Sequence, residues 1–249
     1  EKAVILDAKR LNSLSAVIDR ISEDSTYSGV IFTGISEGMF CAGADISIIG
    51  SIVDERDGAS LARQGQDVFN KIEALDIPTI AAISGPCVGG GCELALACDH
   101  RIITAHPKSR IGLPEVSLGI LPGFGGTQRL PRLIGLEAAL DVILRGKLLS
   151  PSEAIECGLV DDIVPKSADL MPDLYQRAKD ILLGKHEISR LSLSLKDKFI
   201  LNFSPAASYV CSVAKKKSLY KSGGHYPALP KAIDAVRTGL VRGMKAGLE

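Results

Sequence analysis

The sequence contains no tryptophan, and aromatic residues make up only 4% of its 249 residues. Apolar residues nevertheless account for 46% of the chain. This amount suits one medium-sized α/β domain, or one domain with a helical appendage. The core of that domain must therefore be built mainly from aliphatic side chains.

The chain also lacks net charge, because 29 basic residues balance 29 acidic ones. A protein that mainly binds nucleic acid usually has a basic excess, so the composition argues against that class. One short basic run, Lys215 to Lys217 with Lys221 nearby, is interpreted as the solvated end of a helix.

No C-x-x-C pair occurs among the six cysteines, four of which lie in apolar or glycine-rich stretches. Buried free thiols in a reducing compartment explain this usage best. The four histidines do not supply the spacing of a zinc site, so no metal is expected.

Long hydrophobic runs are missing as well. The longest nearly uncharged stretch, 77–98, contains Pro78, Pro86 and Glu93, a combination that a membrane helix tolerates poorly. Residues 1–20 alternate charged and apolar positions and do not resemble a signal peptide. We therefore expect a soluble protein.

Short apolar strands alternate with helical patterns over the first two thirds of the chain. This alternation predicts βαβ units and a largely parallel inner sheet. After about residue 166 the pattern is helical throughout, with a turn-rich break at 222–227 and a last amphipathic helix over 228–242.

Three glycine-rich segments stand close to the ends of predicted strands, at 40–45, 89–93 and 121–127. In the second, a strand enters three glycines and then a helix, which leaves helix-start N–H groups free to bind an anion. A phosphate or a thioester oxygen that becomes an enolate would both fit. The spacing matches neither a P-loop nor a dinucleotide fingerprint, so we favour an oxyanion hole.

Two glutamates stand beside these glycines. Glu93 has apolar neighbours, and a buried acid without a partner tends to be functional, although the helix dipole alone also favours an acid there. Glu115 follows Leu113 and Pro114 and, taken alone, is better interpreted as a surface turn acid. If both converge on one pocket, one carboxylate can activate a water while the other delivers a proton to carbon.

At these residues the chain resembles the enoyl-CoA hydratase/isomerase (crotonase) family. The matching motifs are FCAGADI at 40–46, IPTIAAISGPCVGGGCELALACDHRI at 77–102, IGLPEVSLGILPGFGGTQRLPRLIG at 111–135 and LSPSEAIECGLVDDIVP at 149–165. The resemblance implies an α/β fold, the crotonase-like spiral of ββα units with a helical C-terminal region. It also implies an enoyl-CoA hydratase that adds water to trans-2-enoyl-CoA in fatty-acid β-oxidation.

The resemblance further implies roles for single residues. The oxyanion-hole N–H groups would belong to Ala44 and Gly90, Glu93 would help activate the water, and Glu115 would exchange the proton at the α carbon. The substrate-binding residues would be Ala42, Asp45, Ile46, Gly89, Pro114, Leu118 and Gly123, the last of these near the bound water. No cofactor is expected, since coenzyme A is part of the substrate.

A narrower resemblance concerns HYPALPKAIDAVRTGLVRGMKAGLE at 225–249. It is similar to the linker that follows the hydratase domain in multifunctional fatty-acid oxidation proteins. We therefore expect a crotonase-like core at 1–165, its helical C-terminal part at 166–224, and a linker helix at 225–249 leading toward a dehydrogenase domain, in a chain that is also shortened at its start. The expected partner is a second copy of the chain, in a homo-oligomer, or a thiolase subunit. The expected location is the bacterial cytoplasm, or a mitochondrion or peroxisome if the protein is eukaryotic.

Two alternatives stay open at this point. A Δ3,Δ2-enoyl-CoA isomerase can work with one carboxylate, so the presence of both glutamates favours a hydratase with isomerase as a second activity. A non-catalytic binding protein of the same fold, such as its RNA-binding relatives, fits the balanced charge less well.

Overall fold

The computed structural model describes residues 4–35, 37–45, 50 and 54–249. The strands described are β1 (Val30–Thr33), β2 (Thr79–Ile83), β3 (Pro86–Val88), β4 (His100–Thr104), β5 (Arg110–Gly112), β6 (Leu148–Leu149) and β7 (Asp162–Val164). The helices described are α1 (Ala8–Glu23), α2 (Glu55–Glu73), α3 (Gly90–Ala97), α4 (Gly126–Ile134), α5 (Leu136–Arg145), α6 (Pro151–Glu156), α7 (Leu170–Leu182), α8 (Leu195–Asn202), α9 (Ser204–Ser222), α10 (Ala228–Arg242) and α11 (Met244–Leu248), with a 3-10 helix at Glu115–Leu118.

Helix starts follow the capping signals of the sequence. Asp54 caps α2 by accepting the N–H groups of Arg56 and Asp57. Ser150 and Glu153 form a capping box at α6, with Pro151 at its first position. The helix predicted from this Ser-Pro-x-Glu signal is confirmed.

The main sheet has the order β1-β2-β4-β7, and all of its strand pairs are parallel. All residues of β2 are buried, and so are the residues of β4 after His100, as expected for a parallel sheet covered on both faces. Side chains alternate between two cores. Ile80 and Ile102 pack with α7, whereas Ala81, Ile83 and Ile103 belong to the larger core with α3.

A second, smaller sheet has the order β3-β5-β6. The chain passes from β2 to β3 and then into α3, and from β4 to β5 and then into the helices that follow. These are the repeated ββα units that the family resemblance implied, and the helical region predicted after residue 166 is confirmed as well. Sequence patterns did not reveal β3, β5 and β6, which are only two or three residues long.

The C-terminal helices fold back onto α4 and do not extend away from the core. Gln128 Nε2 donates to the carbonyl oxygens of Ala235 (3.0 Å) and Gly247 (3.1 Å). Arg132 Nη2 donates to the carbonyl oxygen of Gly239 at 2.8 Å. Residues 225–249 are thus part of the packed body, and the division of the chain at 165 and 224 stays a prediction.

Across the residues that the structure describes, no helix is both long and apolar enough to cross a bilayer.

Candidate active site

The glycine-rich turn between β3 and α3 lies close to the carboxylate of Glu115. Gly89 has φ +56°, a left-handed conformation that favours glycine, and its N–H donates to Gly112 O at 3.0 Å. A Cβ at Gly89 would lie 3.2 Å from Glu115 Oε1. The turn therefore reaches Glu115 closely because it carries no side chain.

The loop at 41–45 brings a second amide next to this turn. Cys41 N–H donates to Pro86 O (3.0 Å), and Val88 N–H donates to Cys41 O (3.1 Å), so the loop runs beside β3. A Cβ on Gly90 would lie 3.3 Å from the nitrogen of Ala44. The N–H groups of Ala44 and Gly90 are thus neighbours, although they are far apart in the sequence.

Ala44 and Gly90 both line the same cavity. Within residues 4–35, 37–45 and 54–249, neither N–H donates to a backbone acceptor, and that of Gly90 lies outside the hydrogen-bond ladder of α3 as the first residue of the helix. Two neighbouring backbone donors without a backbone acceptor are the kind of group that can hold a developing oxyanion.

Glu93 lies one turn further along α3 and is only 2% exposed. Its Oε1 accepts two hydrogen bonds of 2.8 Å, from the N–H groups of Phe124 and Gly126. Burial raises the pKa of Glu93 to about 7, while these two hydrogen bonds favour the carboxylate and oppose the rise. The side chain is therefore fixed in place and titrates close to neutral pH.

Glu115 begins the 3-10 helix and is 9% exposed. Its Oε2 is buried and finds no hydrogen-bond partner among the described residues. Burial raises the pKa of Glu115 well above its ordinary value, and the negative charge of Glu93 raises it further. Burial and the neighbouring charge therefore both favour the protonated form of Glu115.

One cavity of about 650 Å³ contains both carboxylates. It is also lined by most of the residues that the sequence assigned to the site, namely Ala42, Ala44, Gly89, Gly90, Pro114, Leu118 and Gly123. Asp45 is half-buried beside Ala44 and lies outside the described lining. Ile46 falls outside the described residues.

The rest of the lining is mainly apolar. Its aliphatic and aromatic members include Leu61, Ala62, Val88, Ile120, Leu121 and Phe124. An apolar cavity with a few convergent polar groups suits a small molecule that has one reactive polar end and an apolar body.

Sequence reasoning missed two parts of this site. The N–H groups of Phe124 and Gly126 hold Glu93, although the glycine cluster that contains them had been singled out. The C-terminal helices also line the cavity, through Pro227, Ala228, Lys231, Ala235, Gly247 and Leu248. The apolar stripe of 228–242 was a signal for this packing, but it does not say which surface it covers.

Comparison with known proteins agrees with this geometry. The family model for enoyl-CoA hydratase/isomerase matches residues 2–213. The fatty acid oxidation complex subunit alpha of Shewanella halifaxensis is 43% identical over 237 residues, which are 95% of this chain and 33% of that protein. The chain thus spans about a third of the length of this curated relative.

Solved structures show the same similarity. An enoyl-CoA hydratase from Bacillus anthracis is 38% identical with a TM-score of 0.66, over 72% of this chain and 67% of that one. An enoyl-CoA hydratase from Geobacillus kaustophilus is 29% identical with a TM-score of 0.68, over 98% of this chain and 80% of that one. The family match, the ββα spiral and the paired carboxylates agree, and the chain belongs to the enoyl-CoA hydratase/isomerase family.

Proposed function

We propose that this chain adds water across the double bond of a trans-2-enoyl-CoA thioester in fatty-acid β-oxidation. The observation that carries the proposal is the meeting of two buried carboxylates, Glu93 and Glu115, with two free amide donors in one cavity. The family supports the acyl-CoA substrate class, and the fatty acid oxidation relative supports the metabolic setting.

The amides of Ala44 and Gly90 would bind the thioester oxygen. Addition of water at the β carbon moves electrons onto this oxygen and forms an enolate. Donors that are already in place stabilise the new charge without reorganising, and removal of one such donor typically costs on the order of 100- to 1000-fold in rate.

The two carboxylates divide the proton transfers. Glu93, which two N–H groups hold as a carboxylate, accepts a proton from water as the hydroxyl bonds to the β carbon. Glu115, whose raised pKa keeps it protonated, gives its proton to the α carbon as the enolate collapses. Water thus adds as a hydroxyl and a proton, and transfer of the proton from Glu93 to Glu115 through solvent restores the starting state.

The walls around these groups would hold the substrate. Gly89, Pro114, Gly123, Ala42 and Leu118 all line the cavity. In this proposal Gly123 would accommodate the attacking water, and Ala42 and Leu118 would contact the thioester and its acyl chain. This chemistry needs no cofactor besides the coenzyme A of the substrate and no metal.

We further infer that the chain works within a larger multifunctional protein. The support is the Shewanella relative, of which it covers 33%. A thiolase subunit or a second copy of the chain is the partner that we propose, and the bacterial cytoplasm is the proposed location, because this relative is bacterial.

The decisive experiment follows the loss of crotonyl-CoA absorbance with the unaltered chain, Glu93→Gln and Glu115→Gln. We expect each glutamine variant to lose roughly 100- to 10,000-fold in kcat, the usual contribution of a positioned acid or base. Glu156→Gln, an exposed acid on α6, is the matched control and should keep full activity. Hydration that survives in either site variant removes that residue from the mechanism.

A second activity is favoured by one observation. Glu115 Oε2 is buried without a partner among the described residues, so this carboxyl can carry a proton from one carbon of an enoyl chain to another. We propose a secondary Δ3,Δ2-enoyl-CoA isomerase activity that depends on Glu115. With trans-3-hexenoyl-CoA, Glu93→Gln should keep isomerisation and Glu115→Gln should lose it, and the opposite pattern would contradict this role.

A further inference from the structure

Helix α11 separates the catalytic cavity from a second cavity of about 670 Å³, which lies between α11 and α2. The two cavities share the lining residues Ala62, Gln66, Leu248 and Glu249. These shared residues stand between the two cavities, and we call Gln66 and Leu248 the partition.

Hydrogen bonds hold the partition closed. Gln66 Nε2 donates to Gly123 O at 2.8 Å and to Leu248 O at 3.1 Å, which joins α2, the glycine-rich loop and α11. Leu248 Cδ2 reaches within 3.6 Å of where a Cβ on Gly125 would lie. The leucine side chain thus stands against the loop that carries the amides holding Glu93.

The helix behind the partition is itself anchored. Gln128 is fully buried, and its Nε2 donates to Gly247 O, one residue before Leu248. A Cβ on Gly247 would lie 2.6 Å from the Cα of Gly239. Because α11 packs this closely on α10, Leu248 has a defined position and is more than a loose terminal contact.

The second cavity is lined by both apolar and polar residues. Its apolar members are Ala59, Ala62, Ala74, Met244 and Leu248, and its polar or charged members are Arg63, Gln66, Asp67, Asn70, Glu73, Lys245 and Glu249. An apolar chain that passed the partition would find surface to cover before it reached solvent.

We propose that Leu248, held by Gln66, limits the length of the acyl chain that the catalytic cavity accepts. Removing its side chain joins the two cavities and admits longer chains. This inference rests on the proposed hydratase function, which supplies the acyl-CoA substrate class. It makes Leu248 a specificity-determining residue that takes no part in the proton transfers.

The test compares kcat/KM for trans-2-enoyl-CoAs of four, ten and sixteen carbons. Leu248→Ala should raise the ratio of the sixteen-carbon to the four-carbon value by roughly tenfold or more, since even one methylene in an apolar pocket changes kcat/KM by roughly 10- to 200-fold. Leu248→Phe, which enlarges the partition, should lower the same ratio. Opposite shifts in the two variants cannot result from a general loss of folding.

The matched control is Val241→Ala, an aliphatic residue of α10 that is 41% exposed and lines neither cavity. Its ratio should equal that of the unaltered chain. If both Leu248 variants also keep that ratio within about twofold, the inference is overturned.

Calorimetric binding of saturated acyl-CoAs of the same lengths separates this inference from the proposed function. If the chain hydrates no enoyl-CoA while Leu248→Ala still improves binding of the long saturated chains, the proposed function is wrong, but the role of Leu248 in limiting chain length is supported. If binding is independent of the residue at 248, or if the chain binds no acyl-CoA, the partition has no role in specificity.

Discussion

Gly126 donates its N–H to Glu93 Oε1 at 2.8 Å, and a Cβ at Gly126 would lie 3.0 Å from Glu93 Cγ and 3.1 Å from Oε1. The same residue thus orients the carboxylate and leaves the space that it occupies. A single added methyl group at residue 126 would therefore crowd the carboxylate that the N–H of this residue binds. A substitution there tests how closely Glu93 must be positioned.

Gly126→Ala should therefore lower kcat while the fold is kept, since alanine is well suited to the start of a helix. We expect a loss of roughly 10- to 100-fold, because a displacement of about 1 Å in an active site can cost on the order of 100-fold. The measurement is kcat for crotonyl-CoA together with far-ultraviolet circular dichroism. Gly50→Ala, where nothing lies within 4 Å of the added carbon, should change neither quantity.

The pH dependence of kcat/KM should follow the two carboxylates. Burial raises the pKa of Glu93 to about 7, so activity should rise as the pH increases toward about 8 and Glu93 ionises. The raised pKa of Glu115 should produce a fall at the pH where this acid loses its proton. A profile that is flat from pH 5 to pH 8 would contradict the assignment of Glu93 as the base.

Glu93 should also make the stability of the fold depend on pH. A carboxyl whose pKa is higher in the folded than in the unfolded state stabilises the fold below the unfolded value, and this stabilisation is lost as the pH rises through the folded value. For Glu93 the window runs from 4.5 to about 7. The free energy of unfolding should fall across it by on the order of 3 kcal/mol at most.

Glu93→Gln removes the ionisation, so it should melt at a higher temperature than the unaltered chain at pH 8 and at nearly the same temperature at pH 4. We expect a difference of several degrees at pH 8. Thermal melts of both proteins across this range measure it, with Glu156→Gln as the exposed control. Equal melting temperatures at pH 8 would show that burial does not disfavour the carboxylate.

Tyr226 should act as a positioning residue for Glu115. Its phenol donates to the carbonyl oxygen of Val116, which follows Glu115 in the 3-10 helix and also accepts the N–H of Gly119 at 3.1 Å. Tyr226→Phe keeps the aromatic ring and removes this hydrogen bond. We expect kcat to fall by roughly 2- to 10-fold, which corresponds to about 1 kcal/mol, and KM to change little.

The alkaline limb of the pH profile should shift in Tyr226→Phe, because Glu115 is the group that determines it. A purely structural loss would not move this limb. Tyr220→Phe is the matched control, since that side chain is 90% exposed. If both variants behave alike, Tyr226 does not position Glu115.

The sequence was sufficient to predict the elements whose signals are local. The capping box at Ser150, the buried run at 79–83 and the apolar period of 228–242 each appear as expected. The family motifs likewise selected residues that the fold brings into one cavity, although those motifs carry no distances.

The remaining features depend on contacts between distant segments, which no local pattern encodes. Strand β3 is stable because β5 pairs with it, and three residues alone carry no period that would reveal this. The packing of Gln128 between Gly239 and Gly247 requires two helices to meet, so the covering of the cavity by residues 227–249 was not foreseen.

The neighbouring amides of Ala44 and Gly90 also bear on how the protein folds. These donors come from segments that are far apart in the sequence, and they meet only when the loop at 41–45 has paired with β3. Contacts of such long sequence separation form slowly, because the chain must lose entropy to close the intervening loop first. The paired donors therefore exist only once these two distant segments have met, so the ability to hold an oxyanion belongs to the whole folded domain and to no local segment of it.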